Sequence, residues 1–154
     1  MKNKIIFVAC DASNIKKIKE ILIKTKNNKF KIIPKFGLQL FYSKNGRSFL
    51  EKFKKDFWLD LKINDIPQTA LSAINSLKDL KKCKYITVHA NCGINMIKAV
   101  KKHAKKINKN LKVLGVTILT SLNNKYLKEI GHTKYVKQVV LKQAELIKKS
   151  GCNG

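Results

Sequence analysis

The sequence predicts an α/β fold, five βα units of the (β/α)8 TIM-barrel class, and three observations lead there. Apolar, β-branched runs alternate five times with amphipathic stretches along the 154 residues, with short connections, which argues for parallel βα units. No G-x-G-x-x-G turn follows the first strand, so the nucleotide-binding doubly wound sheet is the less favoured parallel architecture. The polar residues Asp11, Lys35, Asp60 with Lys62, His89 and Thr120 stand at or just beyond the C-terminal ends of strands one to five, where a barrel builds its site.

The elements follow in order. KIIFVAC (4–10) reads as a strand, and Ser13 is placed to cap a helix in which Ile15, Ile18, Ile21 and Leu22 recur at helical spacing. FKIIPKFG (30–37) is the second strand, with Pro34 breaking its ladder. A helix over 43–55, opened by a turn at Gly46, leads to the third strand, FWLDLK (57–62). Pro67 suits the first turn of the next helix, whose inner stripe is Ala70, Leu71, Ile74 and Leu77. KYITVHA (84–90) is strand four, followed by a helix lined by Ile94, Ile97, Val100 and Ala104. LKVLGVTIL (111–119) is strand five, and helices over 125–130 and 134–149 close the chain.

A chain of this length suits one domain, expected over 1–154, since domains of this size bury roughly 70% of the surface that the unfolded chain exposes. No apolar run approaches the roughly 18 residues that span a bilayer, and the N-terminus reads as no secretory signal, so a soluble, cytoplasmic protein without a membrane partner is expected. Cys10, Cys83, Cys92 and Cys152 form no C-x-x-C pair, which points to free thiols in a reducing compartment and to neither a zinc site nor a disulfide framework. The formal net charge of +25 would by itself suggest a polyanion partner. Against this, Arg47 is the only arginine, although specific phosphate and base readout favours the arginine fork, and the lysines are spread over every segment. An AT-rich coding sequence yields that composition, and no nucleic-acid partner is expected.

The most informative stretch is FWLDLKINDIPQTAL (57–71), which places Asp60, Lys62 and Asp65 within six residues. With a strand's period of two, Phe57, Leu59 and Leu61 face one side while Trp58, Asp60 and Lys62 face the other. Charges directed into a low-dielectric interior cost several kcal/mol per ion before pairing recovers it, so such a pair points to function ahead of stability.

These residues resemble a known family. WLDLKINDIPQT (58–69) is similar to the signature F-L-D-L-K-x-H-D-I-P-N-T of orotidine 5'-phosphate decarboxylases. VACD (8–11) resembles the family's V-A-L-D, KFGLQLF (35–41) its K-x-G-x-x-x-F, VHANCG (88–93) its V-H-A-x-G-G, and GVTILTS (115–121) its V-T-V-L-T-S. The resemblance implies cofactor-free and metal-free decarboxylation of orotidine 5'-monophosphate to UMP in de novo pyrimidine biosynthesis, by a carboxy-lyase. Lys62 is then the proton donor to pyrimidine C6, and Asp60 lies against the substrate carboxylate. Lys35, Asp60 and Lys62 form an alternating charge network, which Asp65, with Ile66 and Thr69, completes in the neighbouring subunit of a homodimer. Asp11 and Lys35 are implied to hold ribose hydroxyls, and Thr120 to lie near the pyrimidine. His89 reads as a packed, hydrogen-bonded histidine at a strand end, because the lysine already fills the donor role.

Departures from the pattern include Asn64 for the family's histidine, Gln68 for its asparagine and Cys10 for a leucine. The chain ends at KKSGCNG, where the family enters its sixth strand, so an incomplete barrel truncated before that strand is expected, with little or no activity by itself, since the family's phosphate-gripping glutamine and arginine come later. The alternatives are a metal-using sugar-phosphate decarboxylase of the same superfamily, a polybasic remnant that holds nucleic acid, and one piece of a split enzyme.

Overall fold

Strands β1 (Ile5–Ala9), β2 (Lys31–Gly37), β3 (Phe57–Ile63), β4 (Cys83–His89) and β5 (Lys112–Val116) form one sheet, in the order β1-β2-β3-β4-β5, in a computed structural model that describes residues 4–154. Each strand lies beside its predecessor, and the β1–β2 and β2–β3 pairs are parallel. A doubly wound sheet reverses strand order at its switch point, and this sheet does not, so the order favours the barrel class. The described residues group into two compact units, one running to Leu61 and including Leu77–Ile86, the other comprising Lys62–Ser76 and Thr87–Gly154. The division runs through β3 and β4.

The first unit holds β1, α1 (Ile15–Lys24), β2, α2 (Leu38–Phe41) and α3 (Gly46–Lys52). Helix α1 is capped by Asn14, whose side chain accepts from the backbone N–H groups of Lys16 and Lys17, and not by Ser13 as expected; the cap is the residue immediately before the helix, where a side-chain oxygen meets two orphan donors. The helix expected over 43–55 is shorter, ending at Lys52, and α2 precedes it. Pro34 is buried within β2 and faces Val8 in the register. Lys31 N–H donates to Lys4 and Lys35 C=O accepts from Cys10, so the odd positions of β2 bond to β1 and Pro34 faces β3, where pairing is registered only from Lys35 onward. One face of the sheet packs Phe36 against Phe49, Phe53 and Phe57 at centroid distances of 5.9, 5.4 and 5.7 Å. On the opposite face the Phe7 ring meets Trp58 at 5.0 Å and Tyr85 at 5.1 Å, both edge-on.

The second unit contains α4 (Pro67–Asn75), a 3-10 turn (Ala90–Cys92), α5 (Gly93–Ile107), β5, α6 (Asn124–Glu129) and α7 (Val136–Ser150). Pro67 occupies the first turn of α4, where its missing N–H costs nothing. Helix α5 buries Met96, Ile97, Val100 and Ala104, and Ile118, Leu127 and Val139 form a second cluster with α6 and α7. Strand β5 ends at Val116, three residues before the expected limit, because the chain bends at Ile118 to bury that side chain in this cluster. Beyond the Gly151 cap of α7, Asn153 N–H donates to Val113 C=O at 2.8 Å, and Gly115 N–H donates to Gly154 C=O at 2.7 Å. Residues 153 and 154 thus run beside β5 in the same chain direction, bonded to it without forming a strand pair.

Candidate active site

Asp11, Lys35 and Asp60, drawn from the ends of β1, β2 and β3, meet in the first unit. Register pairs Lys35 with Trp58 and Gly37 with Asp60, which sets the lysine diagonally beside the acid. Lys35 Nζ lies 3.1 Å from Asp60 Oδ2, 3.7 Å from Asp11 Oδ2 and 5.8 Å from the centroid of the Trp58 ring. Asp60 is buried and Lys35 largely so, whereas Asp11 is open to solvent, so the cluster has one desolvated carboxylate and one approachable one. Such a pair is held in place by charge and by a cation–π contact. Cys10, one residue before Asp11, is buried; desolvation, reinforced by the Asp11 charge and opposed by Lys35, pushes its thiol up to about 11, so it packs as a small apolar group.

In the second unit Lys62 stands apart by its backbone. Its φ of 50° makes it the one non-glycine residue with positive φ among the described residues. This left-handed conformation costs an L-residue about 1 kcal/mol or more, and it ends the strict alternation expected of β3. The Lys62 N–H donates to Thr87 Oγ1 at 2.8 Å, from a threonine that is almost wholly buried. Two residues on, His89 is buried and its Nδ1 has no hydrogen-bond partner among the described residues, which corrects the expectation of a hydrogen-bonded histidine at that atom. Burial, then the neighbouring Lys62 charge, holds the imidazole below its ordinary pKa of 6.5, so it is neutral at pH 7.

Asp65, Ile66 and Thr69 are exposed on the loop and first turn that follow β3, with Ile66 66% exposed. Asp65 Oδ1 accepts from the adjacent Ile66 N–H at 2.7 Å, at the entry to α4. Thr120 is exposed in the turn after β5. Trp58, Thr87 and His89 were not expected as partners of the charged groups. Period two on β3 and β4 aligns Trp58 with Asp60 and Thr87 with His89, and that was the available signal. Among the described residues no group of three or more His, Cys, Asp or Glu side chains is placed to hold a metal ion, and no helix is long and apolar enough to cross a membrane.

Sequential βα units that carry buried charges at their strand ends define a TIM-barrel protein, here an incomplete barrel. Residues 4–154 match the model of the orotidine 5'-phosphate decarboxylase / HUMPS family, and the chain belongs to that family. An orotidine 5'-phosphate decarboxylase of Staphylococcus epidermidis is 37% identical over 133 residues, covering 82% of this chain and 57% of the relative. The one of Fusobacterium nucleatum is 35% identical over 158 residues, covering 100% of this chain and 65% of the relative. The chain therefore spans roughly three-fifths of the length of these curated relatives. Among solved structures, an uncharacterised conserved protein from Geobacillus kaustophilus superposes with a TM-score of 0.83 at 26% identity, over 96% of this chain and 71% of that one. An orotidine 5'-monophosphate decarboxylase from Methanocaldococcus jannaschii, in complex with the inhibitor BMP, superposes with a TM-score of 0.74 at 25% identity, over 98% of this chain and 65% of that one.

Proposed function

We propose that this chain serves the decarboxylation of orotidine 5'-monophosphate to UMP, without metal or organic cofactor, in a cytoplasmic homodimer. The observation that carries the reading is the buried Asp60 held by Lys35 at 3.1 Å, two residues before Lys62 on the same strand. Loss of carbon dioxide leaves a carbanion at C6 with no adjacent electron sink, so a fixed ammonium is needed where the charge develops. Lys62 supplies it and then delivers the proton to C6. Asp60 lies against the departing carboxylate, and Lys35 offsets its charge. Asp11 and Lys35 bind ribose hydroxyls, for which an approachable acid beside an ammonium offers one acceptor and one donor. Thr120 borders the pyrimidine. Asp65, Ile66 and Thr69, exposed after β3, complete the site of the neighbouring subunit. The curated relatives named for the orotidine enzyme do not favour the sugar-phosphate alternative.

Trp58 is the sole tryptophan and neighbours Lys35, which makes it a built-in reporter. UMP formation by this chain, which spans about three-fifths of its relatives' length, is expected to be slight. Orotidine 5'-monophosphate is expected to change the Trp58 fluorescence, and Lys62→Ala to abolish measurable UMP formation while leaving that change in place. The absence of any Trp58 fluorescence change at about 1 mM orotidine 5'-monophosphate, or UMP formation that survives Lys62→Ala, would overturn the reading.

A further inference from the structure

Two positions where the sequence differs from the family pattern touch each other. Asn64 stands in place of the signature's histidine, and Cys92 in place of the first glycine of V-H-A-x-G-G. The two are 28 residues apart in the chain, yet Cys92 Sγ lies 3.1 Å from Asn64 Oδ1 and 3.7 Å from Ile63 C=O, so the thiol donates into the loop that follows Lys62. The backbone explains why a side chain is tolerated there: Cys92 has φ −68° and ψ −8°, ordinary right-handed values, whereas Gly93 has φ 77° and holds the conformation that needs glycine. Burial foremost pushes the Cys92 thiol up, opposed by the Asp65 backbone N–H and reinforced by the Asp65 carboxylate, so it stays a protonated donor at pH 7.

We propose that Cys92 and Asn64 are a coupled pair of positioning residues that sets the loop 64–69, which on the function proposed above presents Asp65, Ile66 and Thr69 to the neighbouring subunit. The test is hydrogen exchange in the chain itself of the Ala70 amide, whose N–H donates to Ile66 C=O at 3.0 Å and ties the loop to α4, with the amide of Val113 as a control for global loosening. Asn64→His, Cys92→Ala and Cys92→Gly are each expected to speed exchange of that amide about threefold, the scale of one modest hydrogen bond. Cys92→Ser, which keeps a donor, and the double variant N64H/C92G, which restores the family pairing, are expected to return within about twofold of the wild type. Additive effects in the double variant, a serine variant as fast as the alanine one, or unchanged exchange in the single variants each overturn the pair. Exchange needs no turnover, so a coupled loop without any Trp58 response to orotidine 5'-monophosphate overturns the decarboxylase reading alone, and the converse overturns the pair alone.

Discussion

Asp60 and Lys35 form a largely desolvated ion pair, the acid 7% exposed and its cation 3.1 Å away. Removing one partner of a buried pair costs more than the pair contributes, since the remaining ion stays desolvated. Lys35→Met is expected to lower the free energy of unfolding by about 2–4 kcal/mol, and Lys35→Met with Asp60→Asn to recover part of it, both read from urea midpoints. His89 gives a pH signature. Its folded pKa lies below the ordinary 6.5, so below pH 6.5 the unfolded chain binds the proton first and stability falls as pH falls. Above pH 6.5 this contribution is constant. Urea midpoints between pH 7.5 and 5, on the scale of that ordinary value, are expected to drop less in His89→Asn than in the wild type. Alternation along β3 made Asp60 readable as an inward-facing charge and the end of β2 singled out Lys35, and the structure brings the two side chains together. The left-handed turn at Lys62, the lone Nδ1 of His89 and the Cys92–Asn64 contact were not readable, because the first breaks the extended geometry that period two assumes and the others arise between segments distant in sequence.

Elements were legible where one face is strongly apolar and blurred where caps or single residues decide. The spacing of Ile15, Ile18 and Ile21 announced α1, but Ser13 and Asn14 are equally good cap residues by type, and only the geometry selects Asn14. Asn14→Ala is expected to cost about 1 kcal/mol, and Ser13→Ala almost nothing, in thermal denaturation. Pro34 announced a broken ladder, and the structure makes the break one-sided, toward β3. In β5, Gly115 faces Ile147 of α7 so closely that an added Cβ would lie 2.4 Å from its side chain. Gly115→Ala is expected to destabilise by about 1–3 kcal/mol through overpacking, with a compensating gain when Ile147 is shortened to Val. The four residues of α2 carry too little periodicity for any pattern to reveal them.

For the whole molecule, 34 basic residues against 9 acidic ones mean that most lysines have no acid available to them. Such a chain repels itself when compact, and salt relieves this by shortening the Debye length from about 30 Å at 0.01 M to about 10 Å at 0.1 M. The melting temperature is therefore expected to rise with sodium chloride over that range, as measured by calorimetry. The fold class was legible because alternation of strand and helix is a property of the whole chain, robust to errors at any boundary. The ammonium of Lys62 sits on a backbone that lysine does not choose unaided, since glycine or asparagine would occupy the same angles at lower cost. A library sorted only for heat resistance is thus expected to drift toward those two residues at position 62, while one sorted for turnover keeps the lysine, and the two selections part company there first.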